Sequence, residues 1–561
     1  MQVRRTIAIV RAVHSADHRP HGTPLERGRR SLVMRWSTLP RWLQESLPGV
    51  GLFFVLLLPY LTLPLLWDGR WYFYCMANAA HMPFRFQNFL CFQHPSFLFI
   101  GMFAIPERFF PGSLPWLHGI VLIWGCVSII AFGAICQKLL PHAPGVTRVL
   151  ATLLYATQPV IVANATAFNP DIGITYWLVI LLAFLLYDRI AWIIAAGILL
   201  TFTKETGILF YTLAILAHWI FLVRPHFRST FAALRASWQR IPLLLLPQVL
   251  FIIYSVSGIA FFEGKDTGSL LRMLTSFSLL EPRFLLMLKE IFLFQFTWLQ
   301  TGVIAIAAFV WFWKWDRGAL PRPTQDTRLV WLLAALYGAG AYCLTRYLYV
   351  NNLRYFMALF PLGSLLFAAS AVHLLSRRNL AIHLLMVALL LQTVSLFYSA
   401  DPLSRAMFGT FSFGERIMYP LGKVDGCIGR DQLVYNLQHL ELSTIQDAIF
   451  EHIRPTRETT ISTHGDAWFG FNDGVDPVTF RRTSAAGAVM PRYMAAADII
   501  SLPHPPQEVW YIEYPNFVNE HELSTLRERY DTAHVSEFRD GGYGIRVHQF
   551  RLKPQGLSAA E

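Results

Sequence analysis

Gly51-Leu-Phe-Phe-Val-Leu-Leu-Leu-Pro-Tyr60 carries no charge, and the run continues through Leu61-Thr-Leu-Pro-Leu-Leu66 before Trp67 and Asp68 end it. As a helix, about twenty apolar residues match the hydrocarbon thickness of a bilayer. The segment before it, 1–47, is Arg-rich, and no small-residue cleavage site follows it. The run therefore reads as an uncleaved signal anchor behind a disordered, basic cytoplasmic tail.

Ten more such runs follow, so that apolar stretches lie near 48–66, 116–136, 149–166, 172–187, 190–203, 207–223, 241–262, 291–313, 329–345, 355–375 and 379–399. None holds a Lys, Arg, Asp or Glu as drawn, as expected where a charge at mid-bilayer costs about 2.5 kcal/mol or more. The expected fold is an α-helical polytopic membrane protein of about eleven transmembrane helices. The runs at 172–187 and 190–203 are short enough to form a tilted or broken pair. Composition agrees: 54% of the 561 residues are hydrophobic and 15% charged, against about 25% charged in soluble domains. Such a composition argues against a soluble enzyme of this size.

The net charge of +12 would suggest a nucleic-acid partner if it formed one surface patch. It does not. Up to residue 400 the chain carries 32 Lys+Arg against 14 Asp+Glu, and beyond it 15 against 21. The change falls at Tyr398-Ser-Ala-Asp401-Pro402 and marks a boundary between a membrane part, 48–400, and an acidic tail, 401–561. With the N-terminus inside, the internal loops hold 13 basic residues in 48 and the external loops 10 in 94. The positive-inside rule then puts the N-terminus in the cytoplasm and, after an odd number of spans, the tail outside, which for a bacterial inner membrane is the periplasm. Strand-like runs at 507–514 and 543–552 and a helical Glu520–Arg529 make that tail a small α/β domain. His464-Gly-Asp466 and Asp473-Gly-Val-Asp476 read as turns.

Eight of the 14 carboxylates before residue 400 fall on the external side, which directs attention to the outer membrane interface. The first external loop, 67–115, is long and opens Trp67-Asp68-Gly69-Arg70-Trp71, then passes His94-Pro95-Ser96. Its aromatic and apolar residues suit short interfacial helices, with Asp68 either beside a lipid-linked substrate or capping a helix. Asn169-Pro170-Asp171 reads as a helix start, with Pro in the first position and Asp171 favoured by the macrodipole. In Thr201-Phe-Thr-Lys204-Glu205-Thr-Gly207 a cation and a carboxylate form either a mutual pair or a substrate contact. Arg346 and Arg354 lie in Arg346-Tyr-Leu-Tyr-Val-Asn351-Asn352-Leu-Arg354-Tyr355, against the positive-inside bias. A guanidinium there suits a lipid phosphate, bound bidentately, or snorkels to headgroups.

Asp68, His94-Pro95, Asn169-Pro170-Asp171, Lys204-Glu205-Thr-Gly207 and Asn352-Leu-Arg354-Tyr355, in this order, resemble the integral-membrane C-type glycosyltransferases (GT-C). The likeness is to the dolichyl-phosphate-mannose protein mannosyltransferase-like group that includes the bacterial aminoarabinose transferase of lipid A. It covers roughly 48–400. It implies a catalytic Asp in the first external loop, taken here by Asp68, and a sugar donor linked to a polyprenyl phosphate. Lys204 and Arg354 become candidates for the donor phosphate, and Arg346 joins them on chemistry alone. Arg70, His94, Glu205 and Asp171 complete the candidate substrate-binding set. Many members carry Asp-Glu and His-Pro-Pro where this chain has Asp68-Gly69 and Pro95-Ser96.

The expected function is transfer of a sugar from a polyprenyl-phosphate donor to a lipid, glycan or protein acceptor, with membrane lipids and no nucleic acid as further partners. A surface-polysaccharide polymerase or ligase is the alternative enzyme. A lipid or solute transporter is the other class, and would call for charges within spans or internal repeats. No nucleotide cofactor is required, and no spacing demands a metal, although a divalent cation near Asp68 and His94 fits the chemistry. Six cysteines show no zinc or CxxC spacing. Cys75 and Cys91, in one external loop, are the candidate disulfide in an oxidising compartment.

Overall fold

A computed structural model of the chain describes residues 39–63, 65, 69–81, 96–227, 229–256, 282–317, 324–347, 352–375, 378–413, 416–421, 431–456, 458–463, 475–476, 481–482, 492–513, 520–540 and 543–554. Met1–Gln44 forms a unit of its own, and Glu45–Glu561 a second. The second is mostly helical, with a small sheet region near its C-terminal end.

Among the described residues, each of the eleven apolar runs overlaps an apolar helix. Six are long enough to cross a membrane: Arg41–Tyr60, Leu114–Leu139, Thr206–His226, Leu285–Asp316, Gln325–Arg346 and Asn379–Phe397. Two runs fall on bent pairs, Gly145–Ala156 with Pro159–Ala165 at 52° and Thr230–Ser237 with Ile241–Tyr254 at 77°. Counting each pair as one crossing gives up to eight among the described residues. The other three helices, Pro170–Leu186, Ile190–Thr201 and Leu359–Leu374, are apolar but shorter. The 12 residues of Ile190–Thr201 rise only about 18 Å, short of the roughly 30 Å of hydrocarbon. The chain reads as a multi-pass membrane protein, and its outward faces agree. Val55, Ile123, Phe309 and Leu390 are each 64–70% exposed, an arrangement that lipid accepts and water does not.

The inward faces are filled by large side chains such as Phe53, Phe132, Tyr155 and Tyr176, all fully buried. Phe132 stacks on Tyr155 at 4.6 Å, and the Tyr155 hydroxyl meets Ser128 Oγ at 2.6 Å, so this buried polar pair is satisfied. Loops expected on the inner side pair with each other. Arg148 binds Glu45 through Nη2 at 2.6 Å and Nε at 2.7 Å, and donates to the carbonyls of Leu140 and Ala143. Arg240 binds Asp188 at 2.7 Å.

One long helical run is broken from within. At Phe294–Phe296 the backbone of Gln295 and Phe296 turns left-handed, with φ of 47° and 63°, a conformation that costs non-glycine residues on the order of 1–3 kcal/mol. Asp401 holds the break. Its carboxylate accepts from Phe296 N and Trp298 Nε1, both at 3.0 Å, and from Ser404 Oγ at 2.5 Å, while Ser404 Oγ accepts from Gln295 N at 2.9 Å. The stretch expected to separate membrane part from tail is therefore packed, with Asp401 fully buried.

The tail carries a mixed five-stranded sheet in the order Arg492–Tyr493, Thr460–Thr463, Glu508–Glu513, Tyr543–Leu552, Tyr530–Asp540. The first three strands run parallel and the last two pair antiparallel. Glu508–Glu513 and Tyr543–Leu552 fall where the sequence places strands, and Glu520–Arg529 is helical. Ile461, Ile512, Ile545 and Val547 join the same apolar cluster as the membrane helices. Val509, Tyr511, Leu526 and Phe550 form a smaller one. Cys75 is disulfide-bonded, and its expected partner Cys91 lies outside the described residues. Cys126, Cys136 and Cys343 are free.

Candidate functional site

Three segments that the sequence singled out meet at one buried cluster. The first is the helix start at Asn169. Its side chain accepts from Ile172 N at 3.2 Å, Pro170 occupies the first helical turn, and Asp171 follows. This is a cap built from local sequence. Asp171 is only 6% exposed.

The second is the turn between Ile190–Thr201 and Thr206–His218. Thr203 Oγ1 donates to Leu199 O at 2.6 Å and Gly207 N to Lys204 O at 2.8 Å, closing the turn. Gly207 is what allows it: a Cβ there would sit 1.9 Å from the Leu200 carbonyl oxygen. The turn aims Lys204 inward, where Nζ donates to Asp171 Oδ1 at 2.7 Å with both side chains at most 7% exposed. The partner at hydrogen-bond distance is thus Asp171, 33 residues away. Burial opposes the ammonium charge, but Asp171, Tyr355 and Glu205 outweigh it, so Lys204 titrates above the ordinary lysine range.

The third is the tight turn Leu353–Phe356. Arg354 Nε lies 3.8 Å from Asp171 Oδ2 with its side chain 6% exposed. The Tyr355 ring faces both cations, with Lys204 Nζ 4.4 Å and the Arg354 guanidinium carbon 5.3 Å from its centroid. One carboxylate thus stands between two cations, backed by an aromatic face.

The helices Gly69–His81 and Phe97–Phe109, from the loop expected to be external, pack beside the turn that leads into Asn169. Phe168, left-handed with φ 45°, packs its ring against Phe99 at 5.4 Å and Phe103 at 4.7 Å. Tyr72 meets Phe99 edge-on at 5.9 Å. Gly69, the first residue of the Gly69–His81 helix, is pressed onto this turn so closely that a Cβ would lie 2.7 Å from Ala167 O and 3.2 Å from Phe168 O. No larger residue fits there without displacing backbone.

Of the expected site residues, Asp171, Lys204 and Arg354 come together. Glu205, half-buried, follows Lys204 and supports its charge. Arg346 is buried in the last turn of Gln325–Tyr347, its guanidinium carbon 5.9 Å from the Tyr342 ring centroid. Arg70 lies in the first turn of Gly69–His81. Asp68 and His94 lie outside the described residues. Among the described residues no group of three or more His, Cys, Asp or Glu could hold a metal ion.

Sequence reading missed two participants. Asp431, from the tail, accepts from Asn164 Nδ2 at 3.1 Å and from the backbone N of Arg354 at 3.2 Å. Asn164 Oδ1 in turn accepts from Asn169 Nδ2 at 3.0 Å. Asn164 sits inside an apolar run, where an amide is a visible exception. Asp431 is one of 21 tail carboxylates and carries no local signal.

No family model matches the sequence, and no curated protein does. Two solved structures share part of its shape. The oligosaccharyltransferase AglB from Archaeoglobus fulgidus, in complex with an inhibitory peptide and a dolichol-phosphate, is 12% identical with a TM-score of 0.43, over 90% of this chain and 74% of that one. The apo form of the Archaeoglobus fulgidus oligosaccharyltransferase is 12% identical with a TM-score of 0.41, over 80% of this chain and 64% of that one. At these scores neither likeness assigns this chain a fold, a substrate or a chemistry.

Proposed function

We propose that the chain is a membrane glycosyltransferase of the C type, moving a sugar from a polyprenyl-phosphate donor to a lipid, glycan or protein acceptor at the periplasmic face of a bacterial inner membrane. The observation that supports it is the convergence itself. Asp171, Lys204 and Arg354 come from three connections that the positive-inside count assigns to one side, and Gly69, next to Asp68, packs on the turn that leads into Asp171.

In this reading Asp68 is the general base. It takes the proton of the acceptor hydroxyl as that oxygen forms its bond to the anomeric carbon. The bond from that carbon to the phosphate oxygen breaks, and the electron pair leaves with the lipid phosphate. Lys204 and Arg354 stabilise the charge that develops there. Asp171 holds both cations in place, with Tyr355 as their floor, so little reorganisation is left for the transition state. Arg346, Arg70, His94 and Glu205 are assigned to the surrounding donor and acceptor contacts, and the tail, 401–561, to the outer side.

The test is transfer from a polyprenyl-phosphate sugar by reconstituted protein. Asp68→Asn should abolish transfer while the protein still elutes as a folded particle. Turnover near that of the parent protein would remove Asp68 and the reading with it. Lipid mass spectrometry of a strain lacking the protein should show the carrier-linked sugar accumulating.

A further inference from the structure

The Asp431 segment does more than attach the tail. Asp431 is 9% exposed and adopts a left-handed backbone, φ 71°, which a non-glycine residue keeps only where its surroundings hold it. Both carboxylate oxygens are engaged with the membrane part. Oδ1 accepts from Asn164 Nδ2 at 3.1 Å, and Oδ2 from Arg354 N at 3.2 Å. The residues around it are anchored too. Gln432 exchanges hydrogen bonds with the Tyr419 backbone at 2.8 and 3.1 Å, and Asn436 Nδ2 donates to Ala163 O at 2.9 Å and to Thr166 Oγ1. Asp431 therefore lies between the turn carrying Arg354 and the Asn164–Asn169 relay that ends at the helix carrying Asp171.

From this geometry we infer that Asp431 is a positioning residue for donor binding. It fixes the backbone of Arg354 so that the guanidinium meets the lipid phosphate, and it makes the tail part of the phosphate site. The inference rests on the proposed function, since it takes Arg354 as a phosphate ligand. Two features favour positioning over general packing. The bond falls on the backbone of Arg354 itself, and the second arm reaches the N-cap of the helix whose first turn bears Asp171. The ligand it serves is the polyprenyl-phosphate donor of the proposed function.

The experiment measures binding of undecaprenyl phosphate to detergent-solubilised full-length protein, by thermophoresis, alongside thermal midpoints. Asp431→Asn keeps one acceptor oxygen and presents an NH2 to a donor, so one of the two bonds is lost. Affinity should fall about tenfold, with a midpoint near that of the parent. In an Arg354→Ala background the same substitution should weaken binding no further, because it acts through Arg354. An independent, additive loss in the double variant would overturn the inference, as would parent-like affinity of Asp431→Asn where Arg354→Ala is weak. If Asp431→Asn does not fold, Asp431→Gly, which keeps the left-handed backbone and removes both acceptors, takes its place in the same cycle. Unchanged affinity of Arg354→Ala would sink the phosphate reading itself, and the inference with it.

Discussion

Asp171→Asn is the substitution that most directly tests the buried cluster. The carboxylate lies 2.7 Å from Lys204 Nζ and 3.8 Å from Arg354 Nε, and all three side chains are at most 7% exposed. With an effective dielectric of about 20, the gross attractions are about 6 and about 4 kcal/mol. Desolvation cancels much of this, and removing one partner of a buried pair costs about 3–5 kcal/mol, because the remaining charge loses its nearest counter-charge. Asp171→Asn leaves two cations facing each other and should fall at the upper end of that range. Lys204→Met leaves Asp171 beside Arg354 and should cost less. The double variant Asp171→Asn/Lys204→Met removes one charge of each sign, and should recover most of what Asp171→Asn alone loses. The assay is equilibrium unfolding in mixed micelles, followed by circular dichroism. Parent-like stability of Asp171→Asn, or simple additivity in the double variant, would refute the account of the cluster as one electrostatic unit.

Three further outcomes follow from the geometry. Gly207→Ala places a Cβ against Leu200 O and should cost at least the 1–3 kcal/mol typical of overpacking; a thermal midpoint equal to the parent's would contradict it. Glu107, outside the spans, is 1% exposed with Gly112 N donating to its Oε1 at 2.9 Å. Burial raises its carboxyl from the usual value to about 7, with the Gly112 bond opposing. The folded state then binds the extra proton between about 4.5 and 7, so stability falls as pH rises through that window and is flat above it. Glu107→Gln should remove this slope in midpoints measured from pH 5 to 8, and a slope unchanged in the variant would count against the buried carboxyl. Asp401→Ala strands the Phe296 N–H and Trp298 Nε1–H, about 1–3 kcal/mol each, and unfolding at the parent's denaturant midpoint would show that the break needs no acceptor.

The helices were legible because lipid enforces a long run of one chemistry, and a run at 48–66 or 379–399 needs no tertiary information. The helix start at Asn169-Pro170-Asp171 was legible because its donors and acceptor lie within four residues. The pairing of Lys204 was not. Glu205 is adjacent in sequence, while Asp171 becomes the partner only through a turn that Gly207 permits. Asp431 was hidden for the same reason, its partners lying 267 and 77 residues away. The strand Tyr530–Asp540 escaped notice because it is a mostly exposed edge strand, with a register shift at Thr532/His534. It shows none of the alternation that a half-buried strand would.

The knot at Asp401 has a consequence for how the chain is made. Phe296 and its acceptor are 105 residues apart, so while the ribosome works from residue 297 to 401 the left-handed break stands without its carboxylate. The helical run around it gains the acceptor that holds its bend only when the first residues of the tail have been synthesised and delivered to the same spot. A chain that stops before Asp401 keeps every apolar helix of the membrane part, yet its broken helix lacks the acceptor that fixes the bend. Completion of the membrane part is thus written into the opening residues of the segment that follows it.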